Sequence, residues 1–114
     1  MRNFIDKLIL FNSDKMGGGD PGLGSKMMRG FLKMLTKQEA KPRTLFFLGD
    51  SVKLLVHGSP VLEFLEQLLQ EGVEVLACRA ALEWYALEDE LAVGKISSTG
   101  MLLKRMAELE VIHV

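Results

Sequence analysis

The stretch Gly72–Leu87, which reads GVEVLACRAALEWYAL, decides how the rest of the chain is interpreted. Val73–Ala77 predicts a strand and Arg79–Leu87 predicts a helix, and Cys78, the only cysteine of the sequence, lies at the joint between them. A helix N-terminus presents unpaired backbone N–H groups and the positive end of the helix dipole, and both favour an anion. A thiol at this point is therefore biased toward the nucleophilic thiolate, and Arg79 adds a positive charge beside it.

Cys78 also has a structural interpretation, because cysteine is often a small buried hydrophobic residue at a tight turn. Spacing alone does not separate this interpretation from the reactive one. Trp84 and Tyr85, six and seven residues after the cysteine, leave a similar choice open. They can wall a pocket near the thiol or form a subunit contact, although aromatic residues on a helix more often pack in the core.

The composition is that of an ordinary globular chain, with 114 residues of which 48% are hydrophobic and 25% are charged. This length predicts one domain over 1–114 with a single core. The net charge of −1 gives no broad electrostatic reason to bind nucleic acid or a membrane, and the apolar runs are too short to span a bilayer. With one cysteine and no secretory signal in Met1–Asn12, we expect a reduced, cytoplasmic protein.

Strand-like and helix-like segments alternate along the chain, an order typical of a parallel sheet with helices on both faces. We therefore predict an α/β fold, a three-layer sandwich with a five-stranded, mainly parallel, flavodoxin-like sheet. In the strand order 2-1-3-4-5 the first and third strands are neighbours, which would place the Asn12–Gly24 loop beside Cys78. The predicted strands are Lys7–Asn12, Thr44–Gly49, Val73–Ala77, Lys95–Ser97 and Val111–Val114. The predicted helices are Leu23–Lys37, a segment between its N-cap Ser59 and Gly72, Arg79–Leu87 and Gly100–Glu108.

Apolar residues at helical spacing predict the inner faces of the first and last helices. Gly30 lies within the first of these patterns and costs about 1 kcal/mol against alanine, which a close helix–sheet contact would explain. The predicted inner residues are Met28, Phe31, Leu32 and Leu35 in the first helix and Leu102, Leu103, Met106 and Ala107 in the last.

The segment Lys15–Gly24 is the one glycine-rich stretch, and such a loop between a strand and a helix can present N–H groups to an anion. It resembles a P-loop, but Ser25 and Lys26 stand in the wrong order for that motif. The dinucleotide pattern is met nominally by Gly17-x-Gly19-x-x-Gly22, with no ribose-binding acid at the expected place. A flexible loop leading into a helix is therefore the preferred interpretation.

The remaining polar candidates are single residues. Lys53 follows the second strand and can provide a cation, although a surface lysine is the preferred interpretation. His57 reads as a loop histidine, and His113 alternates with Ile112 and Val114 on a short strand. No second ligand is spaced to join either histidine, so we predict no metal and no cofactor.

Three longer stretches add to Gly72–Leu87 and together carry a family resemblance. They are LILFNSDKMGGGDPGLGSKMMRGFL (8–32), LFFLGDSVKLLVHGSPVLEFLEQLLQEGVEVLAC (45–78) and VIHV (111–114). Through their order and spacing the chain resembles the DsrE-like family. Its nearest likeness is to the DsrE-like domain of YedF-type proteins, which are predicted sulfurtransferases linked to selenium metabolism.

The resemblance implies a DsrE-like fold and a sulfur relay in which Cys78 carries a persulfide. With the charge beside the thiol and the predicted strand order, we expect Arg79, Ala80 and Lys53 in supporting positions, and Asn12, Gly17, Gly18 and Gly19 in a cleft loop. YedF-type domains often have Cys-x-x-Cys here, whereas this sequence reads Cys78-Arg79-Ala80-Ala81, which argues against a dithiol cycle. YedF-type proteins carry a SirA-like domain ahead of this one; we expect none here, and the expected link to selenium is correspondingly weaker.

The predicted function is thus a persulfide carrier that exchanges sulfur with donor and acceptor proteins. Relatives of this type assemble into dimers, trimers or larger rings, so a homo-oligomer is expected by resemblance. The alternative is a non-catalytic ligand-binding or assembly module in which Cys78 is structural. A nucleotide-binding enzyme has the least support, because no acid–base pair or metal cluster stands out.

Overall fold

A computed structural model describes residues 3–114 of the chain, and in that range strands and helices alternate from Lys7 onward. A 3-10 helix, Gly49–Leu55, follows the second strand. The strands are β1 Lys7–Phe11, β2 Thr44–Phe47, β3 Glu74–Cys78, β4 Lys95–Ser97 and β5 Glu110–His113. The α-helices are α1 Pro21–Leu35, α2 Leu62–Gln70, α3 Arg79–Trp84 and α4 Thr99–Glu108.

The five strands form one parallel sheet in the order β4-β3-β2-β1-β5. The predicted α/β class and five-stranded sheet are therefore confirmed. The predicted order 2-1-3-4-5 is wrong, because β2 lies between β1 and β3, and β1 is flanked by β2 and β5. The segments that follow β1 and β3 are consequently separated by the segment that follows β2.

The strand order also decides the layers. From β1 to β4 each new strand is added on the same side of the last, and right-handed crossovers then place α1, α2 and α3 on one face. The connection from β4 to β5 runs back across the sheet, so the same rule places α4 on the other face. The sandwich therefore has three helices on one side of the sheet and a single helix on the other.

Alternate strand residues supply the two cores. On the three-helix face, Ile9, Leu45 and Val75 pack with buried residues of α1, α2 and α3. On the α4 face the buried cluster comprises Leu8, Leu10, Phe46, Leu76, Leu102 and Leu109. The period-2 alternation of side chains between the two covered faces explains why β1 and β2 are buried at every position.

Several local expectations are corrected. In α4 only Leu102 of the four predicted inner residues is buried, and Leu103 is 63% exposed, since one helix needs only a narrow stripe to cover the sheet. A Cβ at Gly30 would meet nothing within 4 Å, so no helix–sheet contact explains this glycine. The helix α2 begins at Leu62, two residues later than expected, because the Ser59 hydroxyl accepts a hydrogen bond from Val61 N in the preceding turn.

An ion pair attaches α4 to the sheet. Arg105 donates from Nε and Nη2 to the two carboxylate oxygens of Glu74 at 2.8 and 3.0 Å, and the Thr44 hydroxyl donates to Glu74 Oε1 at 2.9 Å. The hydrogen bonds from Arg105 lower the pKa of Glu74, Thr44 and nearby positive charge act in the same direction, and partial burial opposes them. The paired carboxylate thus favours the folded state.

Replacing Glu74 by glutamine should lower the free energy of unfolding by about 1–2 kcal/mol at pH 7, because the largely buried Arg105 loses the carboxylate that accepts from its Nε and Nη2 and keeps only the ion pair with Glu108. The carboxylate is 34% exposed, so solvent screening keeps the loss below that of a buried pair. Since the folded pKa is lowered, the stabilisation is present above the ordinary value of 4.5 and is lost as the pH falls through the folded value. Urea titrations from pH 7 to pH 3 measure this difference.

The matched control is Glu66→Gln, which removes an exposed carboxylate of α2 and should leave stability within about 0.5 kcal/mol. A Glu74→Gln variant that is as stable as the wild type at pH 7 would contradict the importance of this ion pair.

The helix α3 ends in a Schellman motif around Ala86, which has φ 55°. Ala86 N donates to Glu83 O at 3.1 Å and Leu87 N donates to Leu82 O at 2.8 Å. Alanine pays a steric penalty in this left-handed conformation, whereas glycine adopts it freely. The two hydrogen bonds that end the helix after Trp84 offset this steric cost.

The substitution Ala86→Gly should raise the free energy of unfolding by about 1 kcal/mol, because it relieves the left-handed strain. The same change at the exposed Ala107 inside α4 should lower it by about 1 kcal/mol. Chemical denaturation of both variants tests the pair, and equal destabilisation by the two would show that Ala86 is not strained.

Candidate functional site

Cys78 is the last residue of β3 and directly precedes α3, with φ −62° and ψ 120°. It lies two residues after Leu76, on the α4 face of the sheet, yet it packs against the core clusters on both faces. The thiol is free and half-buried. The sequence-based placement of Cys78 at a strand–helix joint is therefore correct.

The neighbour of Cys78 is Ser97, its register partner at the end of β4. A glycine makes this pairing possible, since Gly94 has φ 83° and an added Cβ would lie 2.7 Å from the carbonyl oxygen of Val75. Only a residue without a side chain lets the chain approach β3 so closely. The short strand β4 is thereby held against β3, and Ser97 lies beside the cysteine.

A shallow cleft of about 210 Å³ opens where β3 and β4 end. Two helices begin there, α3 after Cys78 on one face of the sheet and α4 after Ser98 on the other. The Ser98 hydroxyl accepts a hydrogen bond from Met101 N at 3.2 Å and so caps α4. The residues that line the cleft are Cys78, Arg79, Ala80, Glu83, Ser97, Ser98 and Thr99.

The polar groups of the cleft suit a small anion, because they include free backbone N–H groups and the positive charge of Arg79. The first-turn N–H groups of α4 have no intrahelical acceptor, and the helix dipole adds positive potential at the same end. Arg79 is exposed and, among residues 3–114, has no carboxylate within salt-bridge distance. Glu83 brings one negative charge to the far side of the cleft, which the sequence interpretation missed. Its i, i+4 spacing from Arg79 was the available signal.

The cleft brings Cys78, Arg79 and Ala80 together, but the glycine-rich loop has other neighbours. Asp14 N donates to Asp50 Oδ1 at 3.0 Å, and Met16 N donates to Gly24 O at 3.0 Å. The loop is thus attached to the 3-10 helix and to α1. The expected position of Asn12 and of Gly17, Gly18 and Gly19 beside Cys78 is wrong, because β2 separates the strands that lead to them.

Lys53 also has a different environment from the one expected. Its Nζ lies 4.5 Å from the centre of the Tyr85 ring, a cation–π contact between the 3-10 helix and the end of α3. It lines a separate cavity of about 150 Å³ together with Asp14 and Ser25. The structure therefore assigns Lys53 to the support of α3 and not to the wall of the Cys78 cleft.

The other candidates stay apart from this site. His57 is exposed, and its backbone N–H donates to Glu90 O. His113 lies on the edge strand β5. Within residues 3–114 no group of three or more His, Cys, Asp or Glu residues is placed to hold a metal ion. A larger cavity, of about 370 Å³, lies near Pro42 and Gly72 at the amino end of the strands. Cys78 does not line it, so cavity size alone does not identify the candidate site.

For Trp84 the sequence favours packing in the core over a pocket or a subunit contact. This expectation is wrong, because the Trp84 side chain is 84% exposed. The short α3 turns only Ala81 and Leu82 inward before the Schellman motif ends it. None of the helices described is long and apolar enough to cross a membrane.

Three solved structures are similar to this chain, each at 16% sequence identity. They are the ychN protein from Escherichia coli (TM-score 0.65, covering 96% of this chain and 99% of that one) and MTH1491 from Methanobacterium thermoautotrophicum, a protein of unknown function (0.63, 95% and 98%). The third is BT1422 from Bacteroides thetaiotaomicron, a conserved protein of unknown function (0.64, 96% and 95%). At this identity the likeness establishes the fold alone.

The sequence comparison reaches further. A search of curated proteins gave no match. The family description DsrE/DsrF-like matches residues 16–112, a range that includes α1, the Cys78 joint, the cleft and most of β5. Because this match extends over most of the chain, and the sheet and its helices agree with it, the protein belongs to the DsrE/DsrF-like family.

Proposed function

We propose that this protein carries sulfur as a persulfide on Cys78, which it accepts from one protein and passes to another. The observation that carries the proposal is the position of the free thiol in a cleft where two helices begin. The DsrE-like family is linked to sulfur relay, which supports the same chemistry. The YedF-type relationship remains a prediction from the sequence.

The transfer is a simple exchange of sulfur–sulfur bonds. The Cys78 thiolate attacks the terminal sulfur of a donor persulfide, a new S–S bond forms on Cys78, and the donor leaves as its thiolate. An acceptor thiolate then attacks the terminal sulfur on Cys78 and releases the Cys78 thiolate. The sulfur keeps its oxidation state in both steps, so neither an oxidant nor a reductant is needed.

The cleft suits the charge of the carried group. A persulfide anion on Cys78 would extend one sulfur beyond the thiol, into a cleft that Arg79 and the first residues of α4 line. Backbone N–H groups and the guanidinium can stabilise that anion. Because the cleft is shallow, it fits a sulfur presented on another protein better than a free organic substrate.

Because the sequence has a single cysteine, the sulfur carried on Cys78 can be released only to a thiol of another molecule. Without a second thiol in the sequence, Cys78 cannot form an internal disulfide, and the terminal sulfur must leave to an external thiol. We therefore propose separate donor and acceptor proteins, a reducing cytoplasmic setting, and self-association of the chain as in its relatives. The proposal involves no nucleic acid, membrane, metal or cofactor.

The alternative is an assembly or ligand-binding module in which Cys78 is structural. One observation favours it, because Cys78 packs against the apolar clusters of both faces and so fills space at the end of the sheet. Reactivity of the thiol in the folded protein separates the two functions.

Incubation with a persulfide donor should add the mass of one sulfur atom to the folded protein, as measured by intact mass spectrometry. The added sulfur should be lost on treatment with a small thiol and should not form on Cys78→Ser. A folded protein whose thiol resists both a persulfide donor and an alkylating reagent would contradict the carrier function and leave the structural alternative.

Replacing Arg79 by glutamine should slow sulfur loading of Cys78 by about two- to fivefold, since one nearby charge contributes about 0.5–1 kcal/mol at a partly exposed site. The matched control is Lys104→Gln, which removes an exposed cation of α4 outside the cleft. Loading rates at low and high salt measure the effect, and equal rates for the two variants would remove Arg79 from the site.

A further inference from the structure

The helix α1 carries a second apolar stripe that the core does not use. Leu23, Met27 and Met34 are 57%, 51% and 55% exposed, and with Gly30 they follow the spacing 4, 3, 4. This spacing puts all four residues on one side of a helix. The buried residues Met28, Leu32 and Leu35 form a different stripe, so α1 is apolar on two sides.

The exposed stripe points away from the neighbouring helix. Arg29 faces α2, where it lies 3.6 Å from a carboxylate oxygen of Glu63 and 5.1 Å from the Phe64 ring. Successive helix residues are about 100° apart, so Met27 points about 160° away from Arg29. The stripe is thus on the free flank of α1, beyond which the sheet continues only as its edge strand β5.

A contact with another molecule on this flank would explain why α1 contains Gly30. Its position is open space, and glycine in a helix costs about 1 kcal/mol against alanine, so nothing within the described chain accounts for it. A glycine between apolar residues lets a second backbone or a large side chain approach a helix closely. The stripe has the form of a contact surface with a shallow notch at its centre.

The flank is also basic. The helix Pro21–Leu35 contains no acidic residue, and of its three cations Lys26 and Lys33 lie on the side of the exposed stripe, while Arg29 faces α2. Lys26 and Lys33 lie four residues before and three residues after Gly30, so they border the notch. Two such helices facing each other would bring like charges together, which argues for an acidic surface as the partner of α1.

An acidic surface with an exposed aromatic residue exists on the same chain. Trp84 is 84% exposed, the largest exposed fraction among the apolar side chains described. The segment Glu83–Glu90 holds Glu83, Glu88, Asp89 and Glu90, all exposed, with no lysine or arginine among them. An exposed tryptophan in a segment with four carboxylates has the composition of an interaction anchor for a basic, apolar partner, and the one cation recorded at this corner, Lys53, lies over the Tyr85 ring.

The two surfaces lie toward opposite ends of one helical layer. The helix α1 follows β1 and α3 follows β3, so the strand order sets α1 toward the β5 edge and α3 toward the β4 edge. We propose that the basic stripe of α1 in one copy of this chain binds the acidic Trp84 corner of the next copy. The contact is head-to-tail, and such contacts close into rings or continue as filaments.

The proposal rests on the self-association proposed above and names its surfaces. Trp84 is the last residue of the short helix that follows Cys78, and its neighbour Glu83 lines the cleft, so α1 of the neighbouring copy would stand beside the Cys78 cleft. Donor and acceptor proteins would then approach a cleft that two copies border together. The interface itself does not depend on the sulfur chemistry.

Sedimentation velocity on the full chain tests the contact. The wild type should form assemblies, and both Trp84→Glu and the double variant Met27→Glu, Met34→Glu should be folded monomers. The milder Trp84→Ala should weaken self-association by about 30-fold or more, the effect of a hot-spot residue. Leu69→Glu and Leu103→Glu, which alter exposed leucines of α2 and α4, should leave the assembly unchanged.

Mixing the two monomeric variants decides the geometry. Each keeps one intact surface, so an equimolar mixture of Trp84→Glu with the Met27→Glu, Met34→Glu variant should form a heterodimer and nothing larger. A wild type that stays monomeric, a Trp84→Glu variant that still dimerises, or a mixture that remains monomeric would each overturn the proposal. Cys78→Ser should assemble as the wild type does, so failure of the interface and failure of the sulfur carrier are distinguishable.

Discussion

The handedness of the crossover connections is the constraint on which the rest of this structure depends. Strands β1 to β4 are added in one direction, so right-handed connections collect α1, α2 and α3 on one face. The return to β5 must then cross the other face, and α4 alone covers it. The Glu74–Arg105 ion pair attaches that single helix to the first residue of β3.

The candidate site is a consequence of this arrangement. The strands β3 and β4 are neighbours, but the helices that follow them leave on opposite faces, so two helix N-termini diverge from one point at the carboxyl edge. Cys78 and Ser97 are the residues in register at that point. An anion held on Cys78 meets the start of α4 as well as its own helix, and a different strand order would have separated these elements.

The same constraint gives the three-helix layer two ends that differ in charge. The helix α1 has basic residues around an exposed apolar flank, and α3 ends in an exposed tryptophan among carboxylates. Neither surface is needed to cover the sheet, since Met28, Leu32 and Leu82 already do so. Their apolar side chains stay in contact with water unless another molecule covers them.

The sequence by itself determined which segments are strands and which are helices, because local periodicity, caps and turn residues act over a few positions. It also determined that Cys78, Arg79 and Ala80 line one cleft, since they are adjacent at one joint. Only the tertiary structure decided the strand order, because the apolar strands β1, β2 and β3 offer similar ladders and their pairing depends on contacts distant in sequence. That order separated the glycine-rich loop and Lys53 from Cys78 and brought Ser97 to it, which no local pattern could decide.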